Sequence, residues 1–397
     1  MTDFTRTKTL FDIPEGMIYL DGNSLGPLPK TAAARVAQTL QDEWGAQLIG
    51  GWTAAGWMEQ PTRLGDRMGR LIGAEPGTTT IGDTLSIKVF QALSAALQLR
   101  PDRREILSCT GNFPTDLYMA QSLIDAMGKG HSLKIVPPEE IAGHITDATA
   151  ALLLTEVDYR TSRRHDMAAL TRKAHAHGAL AIWDLAHSAG AIPVDMTGTG
   201  ADICIGCTYK YLNAGPGAPA FISVARRHLD KVEPILAGWL GHAAPFAFEP
   251  DYRPGPGIER FRVGTPPVLQ MAALDAALDI WDDIDLGALQ TRSAALCDLF
   301  ITEVETRCPD LTLASPRSAT ERGSHISFRH RDGYAIMQAL IADKVIGDFR
   351  EPDILRFGIT PLFIDEEDIK IAAERLESIM KSGLYQQDDY KIRKAVT

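Results

Sequence analysis

Ile203-Cys-Ile-Gly-Cys-Thr-Tyr-Lys-Tyr-Leu-Asn-Ala-Gly-Pro-Gly217 carries an apolar strand, Ile203–Cys207, through a lysine and into a Gly-Pro-Gly turn. A near-continuous apolar run marks a strand buried on both faces, and so a mostly parallel sheet covered by helices. Comparable runs flank it at Ile106–Cys109, Leu133–Val136, Ala150–Thr155, Leu180–Asp184 and Ala220–Val224. Helix-like stretches, Thr31–Leu48, Ile87–Leu99 and a region around Met167–His177, alternate with them. That alternation defines an α/β architecture. After Pro266-Pro267 the texture changes: a long helical stretch, Leu269–Thr306, leads into mixed strands and helices and the polar tail Gln386–Thr397. The expected organisation is a large domain with a mostly parallel central sheet at residues 45–290. A smaller α+β domain combines residues 1–44 and 291–397.

Strand ends in such sheets are where ligands bind. Lys210 lies just past one, and an amine held there is suited to forming a Schiff base with an aldehyde. A second strand end, Trp183-Asp-Leu-Ala-His-Ser-Ala-Gly190, brings Asp184, Ala186 and His187 towards the same crevice. Asp184 is placed to pair with the nitrogen of a pyridinium ring, and Ala186 is small enough for a flat ring to lie against it. Gly82-Asp-Thr-Leu-Ser-Ile-Lys-Val89 opens a helix, where free backbone N–H groups and the Ser86 hydroxyl form an anion site. Asn112-Phe-Pro-Thr-Asp116 puts Phe113 on a strand-end loop, available to stack on a ring. Each residue alone has an ordinary reading as surface lysine, helix cap or core histidine. Their convergence on one edge of one sheet points to pyridoxal phosphate (PLP).

Composition narrows the alternatives. The net charge of -11 argues against nucleic-acid binding as a main role, since phosphate backbones reward a basic surface. No apolar run reaches the roughly 18 residues of a membrane span, and Met1–Leu10 lacks a signal-peptide pattern. A cytoplasmic location is expected. Cys204 and Cys207 form a C-x-x-C without a second pair or a following histidine at finger spacing, so two core cysteines and no metal are expected. Gly215-Pro-Gly-Ala-Pro-Ala220 matches a dinucleotide fingerprint on paper, but it precedes a strand instead of opening a helix.

The order of phosphate loop, aromatic loop, Asp-x-x-His and lysine resembles that of fold-type I PLP-dependent enzymes. The wording of Tyr19-Leu-Asp-Gly-Asn-Ser-Leu-Gly26, Asn112-Phe-Pro-Thr-Asp116, Asp184-Leu-Ala-His-Ser188, Tyr209-Lys-Tyr-Leu-Asn-Ala-Gly-Pro-Gly217 and Phe261-Arg-Val-Gly-Thr-Pro-Pro267 is similar to kynureninase across residues 10–380. The resemblance implies hydrolytic cleavage of the Cβ–Cγ bond of L-kynurenine, and of 3-hydroxykynurenine less readily. The products are anthranilate, or 3-hydroxyanthranilate, and L-alanine, placing the chain in tryptophan catabolism or pyridine-nucleotide biosynthesis. It implies that Lys210 anchors PLP, Asp184 pairs with the ring nitrogen, Phe113 stacks on the ring, and Leu85 and Ser86 hold the phosphate. Asp116, Thr161, His187 and Tyr209 complete the pocket, and Arg356 in Ile354-Leu-Arg-Phe-Gly-Ile-Thr-Pro361 clamps the substrate carboxylate. Trp239 and Thr265 are expected to reach the phosphate from the partner subunit of a homodimer. Trp52 stands where relatives that favour 3-hydroxykynurenine carry histidine, and Thr265 where they carry asparagine. The loop Asp83–Lys88 departs from the common Ser/Thr-Val-Asn wording. Tyr209 is the candidate general acid/base at the substrate carbonyl. The alternative is another fold-type I enzyme, a cysteine desulfurase or class V aminotransferase.

Overall fold

The computed structural model describes residues 2–394. Its centre is a seven-stranded sheet of β1 (Thr79–Ile81), β2 (Glu105–Cys109), β3 (Ser132–Val136), β4 (Thr149–Thr155), β5 (Leu180–Asp184), β6 (Ile203–Gly206) and β7 (Phe221–Val224). The spatial order is β1-β7-β6-β5-β4-β2-β3. β7 runs antiparallel to both its neighbours, and the series β6-β5-β4-β2-β3 is parallel throughout.

Every residue of β4, β5 and β6 is buried, which is why these strands read as unbroken apolar runs. The period-two alternation is still present, but it divides two apolar faces. Ala151, Leu153, Leu180, Ile182, Ile203 and Ile205 belong to one core cluster, and Leu152, Leu154, Ala181, Trp183 and Cys204 to the other. Cys204 and Cys207 are both buried and free. The strand stops at Gly206, where a Cβ would lie 2.5 Å from the Phe221 ring, so only glycine lets β6 approach β7 there.

In chain order the longer helices are α1 (Lys30–Gln38), α2 (Gln60–Leu71), α3 (Leu85–Leu99), α4 (Pro114–Met127), α5 (Met167–Ala176), α6 (Val268–Trp281), α7 (Leu286–Arg307), α8 (Gly333–Ala342) and α9 (Glu366–Ser382). The helical stretch expected from Leu269 to Thr306 is two helices. Asp285 ends the continuity by capping α7, its side chain accepting from the Gly287 and Ala288 amides. The stretch Thr31–Leu48 leaves α-geometry after Gln38 and passes through a wider turn, Thr39–Gly45. There Glu43 pairs with Arg35 at 2.7 Å and accepts from Trp57 Nε1 at 2.8 Å.

A second sheet is antiparallel: β8 (Thr312–Leu313), β9 (His325–Arg329), β10 (Asp348–Arg350) and β11 (Ile354–Gly358), in the order β8-β9-β11-β10. The N-terminal segment joins this half of the chain, since Ile18–Tyr19 pairs in parallel with Val345–Ile346. The segment then turns back towards the large sheet, where Gly26 N donates to Tyr209 O at 2.8 Å. The C-terminal ends of β2, β4, β5 and β6, the tip of the N-terminal segment and strands β10 and β11 therefore meet in one crevice.

Candidate active site

The crevice holds a cavity of about 290 Å³, near the lower size at which small-molecule sites are found. Leu85, Ser86, Phe113, Asp116, Asp184, His187, Tyr209, Lys210 and Arg356, all singled out from the sequence, line it together. Ser24, Thr115, Tyr159, Ala186 and Arg350 complete the wall. Thr161 does not line it: its amide donates to Asp158 Oδ1 at 2.9 Å in the loop after β4. Trp52, Trp239 and Thr265 are also absent from the wall. Trp52 packs edge-on against Trp239, with ring centroids 6.3 Å apart, and Thr265 is exposed.

At one end lies the start of α3. Its N-cap residue Thr84 makes no side-chain capping bond, so the first-turn N–H groups at Leu85 and Ser86 are left for an anion. Behind them Lys88 is buried and pairs with Asp83 at 3.0 Å and Gln91 at 3.0 Å, and Gln91 Nε2 donates to the Phe261 carbonyl at 3.0 Å. Lys88 thus braces the loop and is not a phosphate donor.

The middle of the cavity is a slot for a flat ring, with Phe113 and Ala186 on its wall. Phe113 meets Tyr159 edge-on with centroids 5.2 Å apart. At the base of the slot Asp184 is 1% exposed. Its Oδ1 accepts from Ala186 N at 2.9 Å, and Oδ2 has only a long contact with Thr155 Oγ1 at 3.5 Å. Asp116 lies beside it, contacting Asn112 Nδ2 and the same Thr155 hydroxyl at 3.4 Å each. Burial pushes both carboxyls up, and in Asp116 the charge of Asp184 adds to the effect. A buried, thinly bonded carboxylate with a second carboxyl beside it calls for a cationic N–H partner. A protonated pyridine nitrogen meets that need, so the residues present fit PLP.

Lys210 Nζ donates to His187 Nε2 at 3.0 Å and sits 6.0 Å from the Phe113 centroid and 5.9 Å from that of Tyr209. Burial, then the Lys210 charge, hold the His187 ring well below its ordinary range. His187 is therefore a neutral acceptor that orients the amine. The neighbouring Cys207 and burial keep the Tyr209 phenol above its usual range, so it enters the cavity protonated and able to donate. At the far end Arg356, Arg350, Asp348 and Ser24 form one hydrogen-bonded group.

Ser24 and Arg350 were not assigned a role from sequence, although Ser24 lies inside the quoted Asp-Gly-Asn-Ser-Leu-Gly string. No local pattern distinguishes either from a surface residue. Both acquire a place only because the chain ends fold back onto the large sheet.

The arrangement can hold a phosphorylated aromatic aldehyde, with anion site, ring wall, carboxylate and amine in one cavity, and an amino-acid carboxylate at its arginine end. The kynureninase C-terminal domain model matches residues 289–376. The chain is 48% identical over 394 residues to a kynureninase of Pseudomonas fluorescens, spanning 98% of this chain and 95% of the relative. A C-DES mutant with glycine covalently linked to its PLP cofactor superposes with a TM-score of 0.81 at 19% identity, covering 95% of this chain and 99% of its own. The cysteine desulfurase CsdA from Escherichia coli does so with a TM-score of 0.81 at 16% identity, covering 96% and 99%.

Proposed function

The chain belongs to the kynureninase family, and we propose that it is a PLP-dependent hydrolase that cleaves the Cβ–Cγ bond of L-kynurenine to anthranilate and L-alanine. The observation that carries this reading is the meeting of Lys210 and the buried Asp184 at neighbouring strand ends, in a cavity closed by two arginines. Bound there, PLP supplies the electron sink that lets charge develop on the substrate carbons next to the amine.

The chain's own groups divide the remaining work. Leu85 N–H and the Ser86 hydroxyl take the phosphate, Phe113 and Ala186 hold the ring, and Asp184 holds its nitrogen. Lys210 Nζ anchors the cofactor and, once released, removes the Cα proton and returns it, oriented by His187 Nε2. Tyr209 donates a proton to the ketone oxygen when water adds at the carbonyl carbon and takes one back as the Cβ–Cγ bond parts, and the remaining proton from the water goes to Cβ, which becomes the methyl group of alanine. The arginine end receives the α-carboxylate, as a fork of N–H donors suits.

The cysteine desulfurase reading finds little support. That chemistry needs a cysteine on a mobile loop after the lysine, whereas Cys297 lies within α7, Cys308 at its end, and both are buried. We place the large domain at residues 45–290 and the smaller one at 1–44 and 291–397, of which 1 and 395–397 lie outside the described residues. Trp239, Phe246 and Phe248 are exposed on one aromatic run, which supports a homodimer in which Trp239 and Thr265 serve the partner's phosphate site and Trp52 helps set the ring preference. No helix among the described residues is long and apolar enough to cross a membrane, and a cytoplasmic enzyme accords with that.

The test is anthranilate release from L-kynurenine, read by its fluorescence, with wild type beside Lys210→Ala and Tyr209→Phe. Wild type is expected to turn over and the alanine variant to lose turnover. The phenylalanine variant should fall by roughly 10²- to 10⁴-fold in kcat, the usual weight of one general acid/base. Product formation by Lys210→Ala at the wild-type rate refutes the assignment, and full turnover by Tyr209→Phe refutes the role of the phenol.

A further inference from the structure

Resting on the kynurenine-cleaving reading, we propose that His325 is a positioning residue for the lysine. Through one bridging water it takes the Nδ1–H of His187, and so keeps the His187 Nε2 lone pair turned on the Lys210 amine. Lys210 Nζ lies 3.0 Å from His187 Nε2. A lysine ammonium has only N–H groups to offer, so Nε2 must accept and the imidazole proton must sit on Nδ1. Yet His187 Nδ1 is buried and has no partner among the described residues. Which ring nitrogen holds the proton follows from the bond the other one makes, so an unmet Nδ1–H weakens the tautomer that the lysine needs.

His325 presents the matching need. It opens β9, is fully buried, and neither of its ring nitrogens has a partner among the described residues. Its ring stands beside that of His187, with centroids 5.5 Å apart and planes tilted by 55°. The two rings make no direct hydrogen bond, and one water spans such a gap. Tyr211 also flanks His187, centroids 6.3 Å apart, and its buried hydroxyl is unpartnered too. A buried water takes about two to four polar partners, and this corner offers them.

The far side of His325 is polar as well. Across the sheet it faces Gly358, and a Cβ on Gly358 would overlap Asn23 Oδ1. Opposed residues of an antiparallel pair share a face, so the Asn23 amide stands beside the His325 ring in the place a side chain at 358 would take. Both ends of that amide are buried and unpartnered. The charged groups that bear on the two rings are Lys210, Arg356 and Arg350, with Asp348 acting on His325. Burial and then Arg356 hold His325 well below its ordinary range, so both imidazoles are neutral, each with one N–H and one lone pair. A chain of such rings runs one way: Lys210 donates to His187, His187 to the water, the water to His325, and His325 to Asn23 Oδ1. Without His325, His187 is free to turn an N–H on Lys210, and the amine loses the acceptor that orients it towards the Cα proton.

The experiment compares wild-type holoenzyme with His325→Gln, which keeps a donor and an acceptor, and His325→Leu, which keeps bulk alone. Nitrogen NMR of isotope-labelled histidine separates the Nδ1–H from the Nε2–H form, and the signal lost in His187→Gln identifies that ring. His187 is expected in the Nδ1–H form in wild type and His325→Gln, and as a mixture of both forms in His325→Leu. By anthranilate fluorescence His325→Leu should lose roughly 10-fold in kcat, the weight of one hydrogen bond, with KM little changed. His325→Gln should recover most of that loss. The proposal is overturned if wild-type His187 carries its proton on Nε2, a measurement that stands even where the leucine variant does not fold. It is also overturned if His325→Leu leaves either the tautomer or kcat as in wild type. A glutamine variant that falls as far as leucine, or a KM that rises as far as kcat falls, reports disturbed packing and overturns it equally. Should wild type fail to cleave kynurenine, the functional reading falls instead, and the tautomer spectra still decide the role of His325.

Discussion

Gly26→Ala is a sharp test of how the N-terminal segment shapes the site. Gly26 closes the Asp21-Gly-Asn-Ser-Leu-Gly26 string, and its amide donates to the Tyr209 carbonyl at 2.8 Å. A Cβ at this position would sit 2.4 Å from the Lys210 carbonyl oxygen, 2.4 Å from Asn213 Nδ2 and 2.7 Å from Asn213 Cα. Two of these neighbours are backbone atoms, and Asn213 holds a left-handed conformation at φ 60 that leaves it little freedom to yield. Ordinary contact begins near 3.4 Å, so the segment and the lysine loop must part by about 1 Å. Overpacking of this kind costs about 1–3 kcal/mol of stability. A displacement of about 1 Å between reacting groups can cost on the order of 10²-fold in rate. The holoenzyme variant is therefore expected to melt at a lower temperature and to lose about two orders of magnitude in kcat for kynurenine. Gly143→Ala is the matched control, because no atom lies within 4 Å of the new methyl group. Steady-state anthranilate fluorescence and thermal unfolding of the three proteins provide the readout. If Gly26→Ala matches wild type in both kcat and melting temperature, the steric account of this motif is wrong.

Two further outcomes follow from other parts of the molecule. Asp202, 1% exposed, accepts from His175 Nε2 and His228 Nε2 at 2.7 Å each, from Arg227 Nη2 at 2.6 Å and from Ala181 N at 2.8 Å. Burial opposes its charge, but the hydrogen bonds outweigh it and hold the carboxyl well below its ordinary range. A depressed carboxyl adds stability that is full above its unfolded value of about 3.9 and fades as pH falls towards the folded value. Asp202→Asn should thus cost about 3 kcal/mol near neutral pH, with the gap from wild type closing below about pH 4 in melts across pH. A gap that stays constant into acid contradicts the charge argument. Trp239→Ala should weaken both self-association in sedimentation velocity and the holoenzyme's retention of PLP on dialysis. A variant that self-associates and holds its cofactor as wild type does removes Trp239 from the proposed shared site.

How much of this was legible in the sequence depends on the distance over which each part is built. Lys210, Asp184 and Phe113 could be placed because each follows an apolar strand within a few residues, and a strand end in a parallel sheet already faces the ligand edge. The helix start at Leu85 and Ser86 is local in the same sense. The strand Thr79–Ile81 and the helix Pro114–Met127 escaped notice, the first for being three residues long and the second because its polar residues blur the helical period. The break at Asp285 escaped for a different reason: helix-forming sequence on both sides concealed a capping aspartate. The carboxylate end was the least legible. Ser24 and Asp348 are 324 positions apart, and Arg356 and Ser24 are 332. Sequence alone could mark Arg356 by resemblance, but the number of N–H groups an arginine has left depends on what folds against it. Here that depends on the N-terminal segment, where Ile18–Tyr19 pairs with Val345–Ile346 and the chain then brings Ser24 to both guanidinium groups. Mutations at that pairing should therefore alter substrate recognition before they alter the phosphate and ring sites, since the anion cradle and ring slot belong to the large sheet while Ser24 belongs to the N-terminal segment.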